Sequence, residues 1–458
     1  MTVTSPNLEP LLACPACGAG PLVAIERAWH CDPCAVGFPA VGEIPWLVKD
    51  PDVTIGAWRL RLARLVTHLD AEAAAIDAEL ADTTLPGKTR SRLKLMAGAR
   101  RDHARRLQAL LAPLAPERVP MPESMLAGFG AAVPLAQDLT SYYVNVHRDW
   151  LWGEEENRRA LELVTRALGS HRPQRVLVLG SGAGRLAYDL HEAWSPAVTI
   201  AADLNPLLQL LAHRMFRGQT VELYEFPIAP RTSECSALLR RLAAPAEARA
   251  GLVPVFADAT ALPFAAGAFD TVVTPWLIDI LETQIETVLE QINRALCDGG
   301  LWINTGSLVF ARPQAAAQLS LEEVLDRIED AGFARPQPTE NEVPYMRSPA
   351  SRHARLETVV TFGTTRQRSS PIQRAASVAP PWIADERAPI PRSAEVEFAA
   401  VTSRIHAFVL SLIDGRRSQA DLVELLVEQR LMTREDARAA IRTFMERMHQ
   451  EQSRPRWS

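Results

Sequence analysis

Apolar positions change period several times along the chain, and each change marks a new element. Residues 55 to 112 repeat apolar positions at helical spacing and break at Leu85-Pro86-Gly87, which predicts two helices. Pro113 to Pro134 is punctuated by proline and reads as a connector. Short apolar runs follow at Arg175–Gly180, Ala197–Asp203, the segment ending in Phe256-Ala257-Asp258, Phe269–Thr274 and Gly299–Asn304, with helical stretches between them. Continuous apolar runs of this length suit strands buried on both faces. Strands alternating with helices predict an α/β fold: a doubly wound, mostly parallel sheet whose ligands lie beyond the strands' carboxyl ends. From Thr365 to Ala394 the periodicity fades while Pro371, Pro380, Pro381, Pro389 and Pro391 accumulate, the composition of an extended linker. Beyond it, Ile405, Phe408, Val409 and Leu412 share one helical face, and Asp414-Gly415 stops that helix. Ser418 with Asp421 and Thr433 with Asp436 predict N-caps of two further helices, the last repeating at Ile441, Phe444, Met445 and Met448.

These shifts divide the chain into residues 1–50, a helical region over 51–135, an α/β domain over 136–363, a linker over 364–394 and a small helical domain over 395–458. With 47% hydrophobic and 22% charged residues, the chain is neither disordered nor fibrous. A formal net charge of −5 argues against a nucleic-acid partner. Seven basic residues between Arg90 and Arg106 make the second helix locally positive, either a solvated face or a patch for an acidic partner. No apolar run reaches the ~18 residues of a membrane span, and Met1 to Pro10 lacks the basic-then-apolar order of a secretory signal, so the cytoplasm is the expected location.

Four of the six cysteines fall in the first 34 residues. Cys14-Pro-Ala-Cys17 and Cys31-Asp-Pro-Cys34 each place two thiolates on one turn, and two such turns facing one another make a tetrahedral sulfur site suited to Zn(2+). Disulfide pairing is the alternative, which a reducing cytoplasm and this spacing disfavour. Four thiolates leave no open position, so the metal is expected to be structural. Cys235 and Cys297 stand alone.

The first apolar run ends in Gly180-Ser181-Gly182-Ala183-Gly184 and then a helical stretch. Glycines there let backbone N–H groups approach a ligand at the mouth of a helix. A dinucleotide loop would place its third glycine at 185, which is Arg, so the spacing is GxGxG. Asp203 closes the next strand, where an acid accepts hydrogen bonds from a ribose diol, and Asp258 closes another, within reach of an adenine amino group. Loop, two acids and a Gly299-Gly300 strand in this order resemble the Rossmann-like core of class I methyltransferases that use S-adenosyl-L-methionine (SAM).

Further segments carry a narrower resemblance. Tyr142-Tyr143-Val-Asn145-Val-His147-Arg148-Asp149-Trp150, Thr274-Pro275-Trp276-Leu277-Ile278-Asp279, Gly300-Leu-Trp302-Ile303-Asn304 and Glu342-Val-Pro344-Tyr345-Met346 follow in order. Over about residues 140 to 363 this set is similar to the carnosine N-methyltransferase family, which methylates an imidazole nitrogen of a histidyl dipeptide. The resemblance implies that Arg148 reaches the SAM carboxylate, with Asn145 standing where the family has glutamine. It implies cofactor contacts for Gly180, Asp203 and Asp258, and Gly182 and Gly184 complete the loop. Asp279 is implied to hold the acceptor's imidazole and Tyr345 to line its site. On the residues alone, Asp279 also suits a helix N-cap and Tyr345 also suits core packing. A family histidine falls on Phe310-Ala311 here, and Gly306-Ser307 replaces Gly-Pro, which alters a polar contact that discriminates substrates. Residues 11 to 49 resemble small zinc-ribbon proteins that partner methyltransferases, and the C-terminal helices resemble PqqD-like peptide-recognition modules.

The expected activity is therefore methyl transfer from SAM to a nitrogen of a small molecule or peptide, with a protein or peptide partner for the C-terminal helices. Two rivals remain: a ribosomal RNA methyltransferase using the ribbon for recognition, and a peptide-recruiting modification or adaptor protein.

Overall fold

The computed structural model describes residues 8–26, 28–114, 139–281, 285–312, 315–370 and 407–453, with isolated positions at 389, 392, 397, 400 and 404. Most of the expected connector and linker, together with Ile405 and the side chain of Met448, lies outside these residues. The chain forms two compact units, residues 1–372 and 373–458.

The first unit opens with β1 (Val23–Ile25), β2 (Ala28–Cys31) and β3 (Val36–Phe38), an antiparallel sheet that carries the cysteine turns. The two-residue strands β4 (Ala40–Val41) and β5 (Ile44–Pro45) pair next. Two helices follow, α1 (Pro51–Leu80) and α2 (Gly87–Leu110), separated at the expected Pro-Gly break. Most of α2's basic side chains find partners within the chain. Arg90 donates to the carbonyls of Leu80 and Asp82, Arg100 is buried beside Glu72, Arg101 pairs with Asp77, and Arg105 and Arg106 pair with Asp102. This is an ion-paired helix face.

The α/β part runs α3 (Glu154–Leu168), β6 (Arg175–Leu179), α4 (Arg185–Trp194), β7 (Val198–Asp203), α5 (Pro206–Phe216), the hairpin β8 (Val221–Glu225) and β9 (Leu238–Leu242), β10 (Leu252–Phe256), β11 (Phe269–Pro275), α6 (Ile285–Ala295), β12 (Leu296–Gly306), α7 (Leu321–Asp330), β13 (Thr339–Tyr345) and β14 (Arg355–Thr365). Seven strands form one sheet in the order β10-β7-β6-β11-β12-β14-β13. The first five are parallel, and β13 and β14 are antiparallel at the other edge. The mostly parallel, doubly wound expectation therefore holds. The patterning did not reveal the antiparallel pair or the β8–β9 hairpin, because those strands are short or alternate only weakly: β13 buries Val343 alone. β14 extends to Thr365, past the expected domain end at 363, since Thr364 pairs with Trp302 and Thr365 with Leu301.

The cysteine module shares its core with the sheet. Leu8, Leu11, Leu12, Leu22, Trp29, Phe38 and Leu47 pack in one buried cluster with Val255, Phe264 and Phe269. Backbone pairs fasten the two parts: Ala13 N–H donates to Pro263 O (2.9 Å), Ala265 N–H to Leu11 O (2.8 Å) and Leu47 N–H to Phe256 O (3.0 Å). Trp46 also packs against Phe256 with ring centroids 4.6 Å apart and the planes tilted by 43°. Apolar surface of this extent is stable only when covered, which explains why residues 1–50 join the first unit.

In the second unit, residues 407–411 are helical, followed by α8 (Gln419–Glu428) and α9 (Arg434–Ser453). The expected caps form: Ser418 and Asp421 make a capping box, and Thr433 Oγ1 accepts the N–H of Asp436 at 3.2 Å. Val409, Leu422, Val423, Leu426, Ala437 and Ile441 build its small core.

Candidate active site

Parallel strands converge on a cleft of about 280 Å³ at their carboxyl ends. β6 leads into the glycine loop, where Gly180, Gly182 and Gly184 have φ of +76°, +57° and +86°. The three glycines do different things. A Cβ on Gly180 would meet Leu277 Cδ1 at 2.8 Å, and one on Gly184 would meet Phe216 Cζ of α5 at 2.6 Å. Gly182 has nothing within 4 Å on that side. Gly180 and Gly182 line the cleft, whereas Gly184 lets the loop approach Ala212 and Phe216 of α5 closely. Gly184, expected in the cofactor loop, is not among the residues that line the cleft.

Asp203 ends β7 directly beside Phe256, the last residue of β10, and Asp258 lies two residues further on. Asp203 uses both oxygens: Oδ2 accepts the N–H of Gly182 at 2.8 Å and Oδ1 that of Asn205 at 2.9 Å. Burial raises its pKa, against the pull of these N–H groups. Asp258 uses one oxygen only, Oδ1, which accepts from Thr260 N–H and Oγ1, both at 2.8 Å. Its Oδ2 takes no hydrogen bond among the described residues.

Opposite the loop, residues 145–152 form a helical turn that brings Asn145 and Arg148 to the cleft. Arg148 donates to Asp149 Oδ1 through Nε (2.9 Å) and Nη2 (2.7 Å). Burial opposes the guanidinium's charge, but Asp149 holds its pKa above the usual value. Among the described residues, three of its five N–H groups make no hydrogen bond and can serve a ligand.

Tyr345 lines the same cleft, its ring 5.0 Å from that of Trp276 and 5.2 Å from the Arg148 guanidinium. Asp279 is 3% exposed and is not itself among the lining residues, although Ile280 and Leu281 beside it are. Its Oδ2 accepts from Val309 N–H (2.8 Å) and Ser307 Oγ (3.1 Å), while Oδ1 takes no hydrogen bond among the described residues. It stands six residues before α6 and caps no described helix. Phe310 is buried in the sheet's core and Ala311 is exposed, so no polar side chain occupies that place.

Tyr142, Trp276 and Glu156 are cleft residues to which the sequence reading assigned no role. Tyr142 and Trp276 both line the cleft with left-handed backbones, φ +61° and +50°. Burial first, with the Asp279 and Asp203 carboxylates adding to it, raises the Tyr142 phenol above its usual range. Glu156 reaches the cleft from α3, on a stretch that reads as a plain charged helix.

Outside the cleft lining, Cys14, Cys17, Cys31 and Cys34 bring their sulfurs within 4.8 Å of one another. All four are free thiols, with Cys14–Cys34 at 4.0 Å and Cys17–Cys31 at 3.6 Å. A tetrahedron of sulfurs about 2.3 Å from a metal has edges of about 3.8 Å, so the cluster fits Zn(2+). Ala19 N–H donates to Cys17 Sγ at 3.5 Å, a contact that suits a thiolate.

Residues 135–355 match the family model described as carnosine N-methyltransferase. No curated protein matches the chain. Among solved structures, phosphoethanolamine N-methyltransferase 2 of Haemonchus contortus, in complex with phosphomonomethylethanolamine and S-adenosylhomocysteine, is 13% identical with a TM-score of 0.35. The match covers 52% of this chain and 61% of that one, so the chain spans only about three-fifths of that relative. N-methyltransferase NodS of Bradyrhizobium japonicum WM9 is 14% identical over 47% of this chain and 98% of that one, with a TM-score of 0.31. The family match falls on the segment that builds the cleft, with a glycine loop and two strand-end acids suited to the donor. Residues 135–355, just under half of the chain, are thus similar to the carnosine N-methyltransferase family over the stretch that builds the cleft.

Proposed function

We propose that this protein is a SAM-dependent methyltransferase that methylates a nitrogen of an imidazole-containing small molecule or peptide, a histidyl dipeptide being the first candidate. The family match over residues 135–355 carries this reading, because the same segment supplies both the donor half of the cleft and the Trp276–Tyr345 wall facing it.

Bound SAM supplies an electrophilic methyl group on a sulfonium. The chain's own residues orient the reactants. Gly182 leaves its side open for the donor, Asp203 takes the ribose hydroxyls, Asp258 Oδ2 the adenine amino group, and Arg148 the carboxylate. A neutral imidazole needs no strong base, its unperturbed pKa being roughly 6.5. Attack by its lone pair forms the N–CH3 bond as the C–S bond breaks, so alignment is the main requirement. Asp279, through Oδ1, accepts the hydrogen bond of the other ring N–H and stabilises the cationic product; its Oδ2 bonds to Ser307 and Val309 hold it in place. Tyr345 and Trp276 flank the ring.

We further propose that the four cysteines hold a structural Zn(2+), which a reducing cytoplasm would preserve. Resemblance to PqqD-like modules supports a peptide partner for the C-terminal helices.

Methyl transfer from labelled SAM to carnosine, other histidyl dipeptides, histidine-containing peptides and RNA tests the reading. Label on an imidazole nitrogen is expected; transfer to RNA alone, with salt-sensitive binding, would overturn it. For the metal, one zinc per chain by elemental analysis is expected, with thermal destabilisation on chelation. A metal-free chain of unchanged melting temperature refutes that part.

A further inference from the structure

Tyr345 is the last residue of β13, and the chain leaves the sheet there through a turn completed by Met346 at φ +57°. A residue with a side chain is uncommon at that φ and persists where neighbours hold it. Two buried carboxylates do so from separate elements. Glu156 of α3 accepts the N–H of Met346 at Oε2 (3.2 Å) and that of Arg347 at Oε1 (3.0 Å). Glu225 of β8 accepts the hydroxyl of Ser348 at Oε1 and Arg240 Nε at Oε2 (2.8 Å). They are 9% and 2% exposed. A buried carboxylate is costly unless its lone pairs are satisfied, and these two direct theirs at three consecutive residues. Burial raises the pKa of Glu156, while the two N–H groups and Arg148 oppose that rise. Just before this turn stands the ring that faces Trp276, so any shift of residues 346–348 displaces the cleft wall.

We propose that Glu156 and Glu225 are positioning residues for the methyl acceptor: acting through the turn Met346–Ser348, they set where the Tyr345 ring stands in the cleft. The inference rests on the reading that Tyr345 lines the acceptor's side. The β8–β9 hairpin thereby acquires a task in acceptor recognition.

The test uses the full chain with carnosine as acceptor. Glu156→Gln keeps the volume, but its amide accepts from one N–H and turns a donor toward the other. Loss of about one hydrogen bond corresponds to roughly a tenfold rise in KM for carnosine, and Glu225→Gln should act alike. The SAM Kd, measured by calorimetry, stays within twofold. Tyr345→Ala should also raise the carnosine KM, and Glu156→Gln added to it should change nothing further, because the carboxylate acts through that ring. A merely structural role would give additive losses. Additivity, an unchanged KM, or a SAM Kd rising in parallel overturns the inference. Should Glu156→Gln fail to fold, Glu225→Gln with and without Tyr345→Ala makes the same comparison. If wild-type protein does not methylate carnosine, or Tyr345→Ala leaves its KM unchanged, the acceptor-side reading falls instead. Amide exchange then judges the turn: Glu156→Gln must speed exchange at Met346 and Arg347 while β14 stays protected, and unchanged exchange refutes the clamp.

Discussion

Asp258→Asn and Asp203→Asn separate binding from folding. Asp258 spends only Oδ1 on the protein, on Thr260 N–H and Oγ1 at 2.8 Å. An asparagine can keep its oxygen there and place its NH2 where Oδ2 stood. The turn survives, but a donor now faces the adenine amino donor. Losing a hydrogen bond to a charged group costs about 1.5–3 kcal/mol, which is a ~10–150-fold rise in the SAM Kd. Asp203 offers no such choice, since Gly182 N–H and Asn205 N–H occupy different oxygens. Its asparagine must present an NH2 to one of them, leaving a poorly paired donor worth about 1–3 kcal/mol of stability in addition to the lost ribose contact. Calorimetric titration with SAM and the melting temperature without it measure the two effects. Asp258→Asn should weaken SAM at an unchanged melting temperature, and Asp203→Asn should lower both. A SAM Kd within threefold of wild type for Asp258→Asn would refute the adenine assignment.

The glycines make a second contrast. Gly184→Ala drives a Cβ to 2.6 Å from Phe216 and should yield unfolded protein, whereas Gly182→Ala should fold with a strained loop and lose SAM affinity; equal solubility and melting temperature of the two would contradict the packing role of Gly184. A buried histidine pair makes the protein acid-sensitive. His103 and His147 are each 1% exposed, and burial first pulls their pKa values down to about 3 and about 4, with Arg100 adding to the shift at His103. Their neutral forms belong to the folded state, so the stabilisation is complete above pH 6.5 and is lost as pH falls toward those values. Between pH 7 and pH 5 each histidine contributes a loss of about 2 kcal/mol. His103→Phe keeps the ring contacts with Tyr143 and Phe226 and should flatten the fall in denaturation midpoint over that interval; an unchanged slope would exclude His103 as a source.

Parallel strands, the Pro-Gly break between α1 and α2 and the cysteine cluster were legible in the sequence because each depends on neighbours close along the chain. Continuous apolar runs need burial on both faces, CxxC pairs put two thiols on one turn, and a glycine loop must follow the strand that presents it. The residues at strand ends could be read the same way, since position along a parallel strand decides which end of the sheet they occupy. What Gly184, Asp279 and Glu156 do was not legible. Gly184 has the spacing of a ligand loop, and only the approach of Ala212 and Phe216 on α5 shows what a Cβ there would strike. Asp279 suits both a ligand-holding acid and a helix N-cap until the chain returns thirty residues later to place Val309 N–H against it. The two carboxylates that hold the turn after Tyr345 sit 190 and 123 residues before their partners, a separation at which local pattern carries no information. Folding itself brings them together: hydrophobic burial fixes the sheet order, and only then do polar groups distant in sequence find the partners that decide the shape of the cleft.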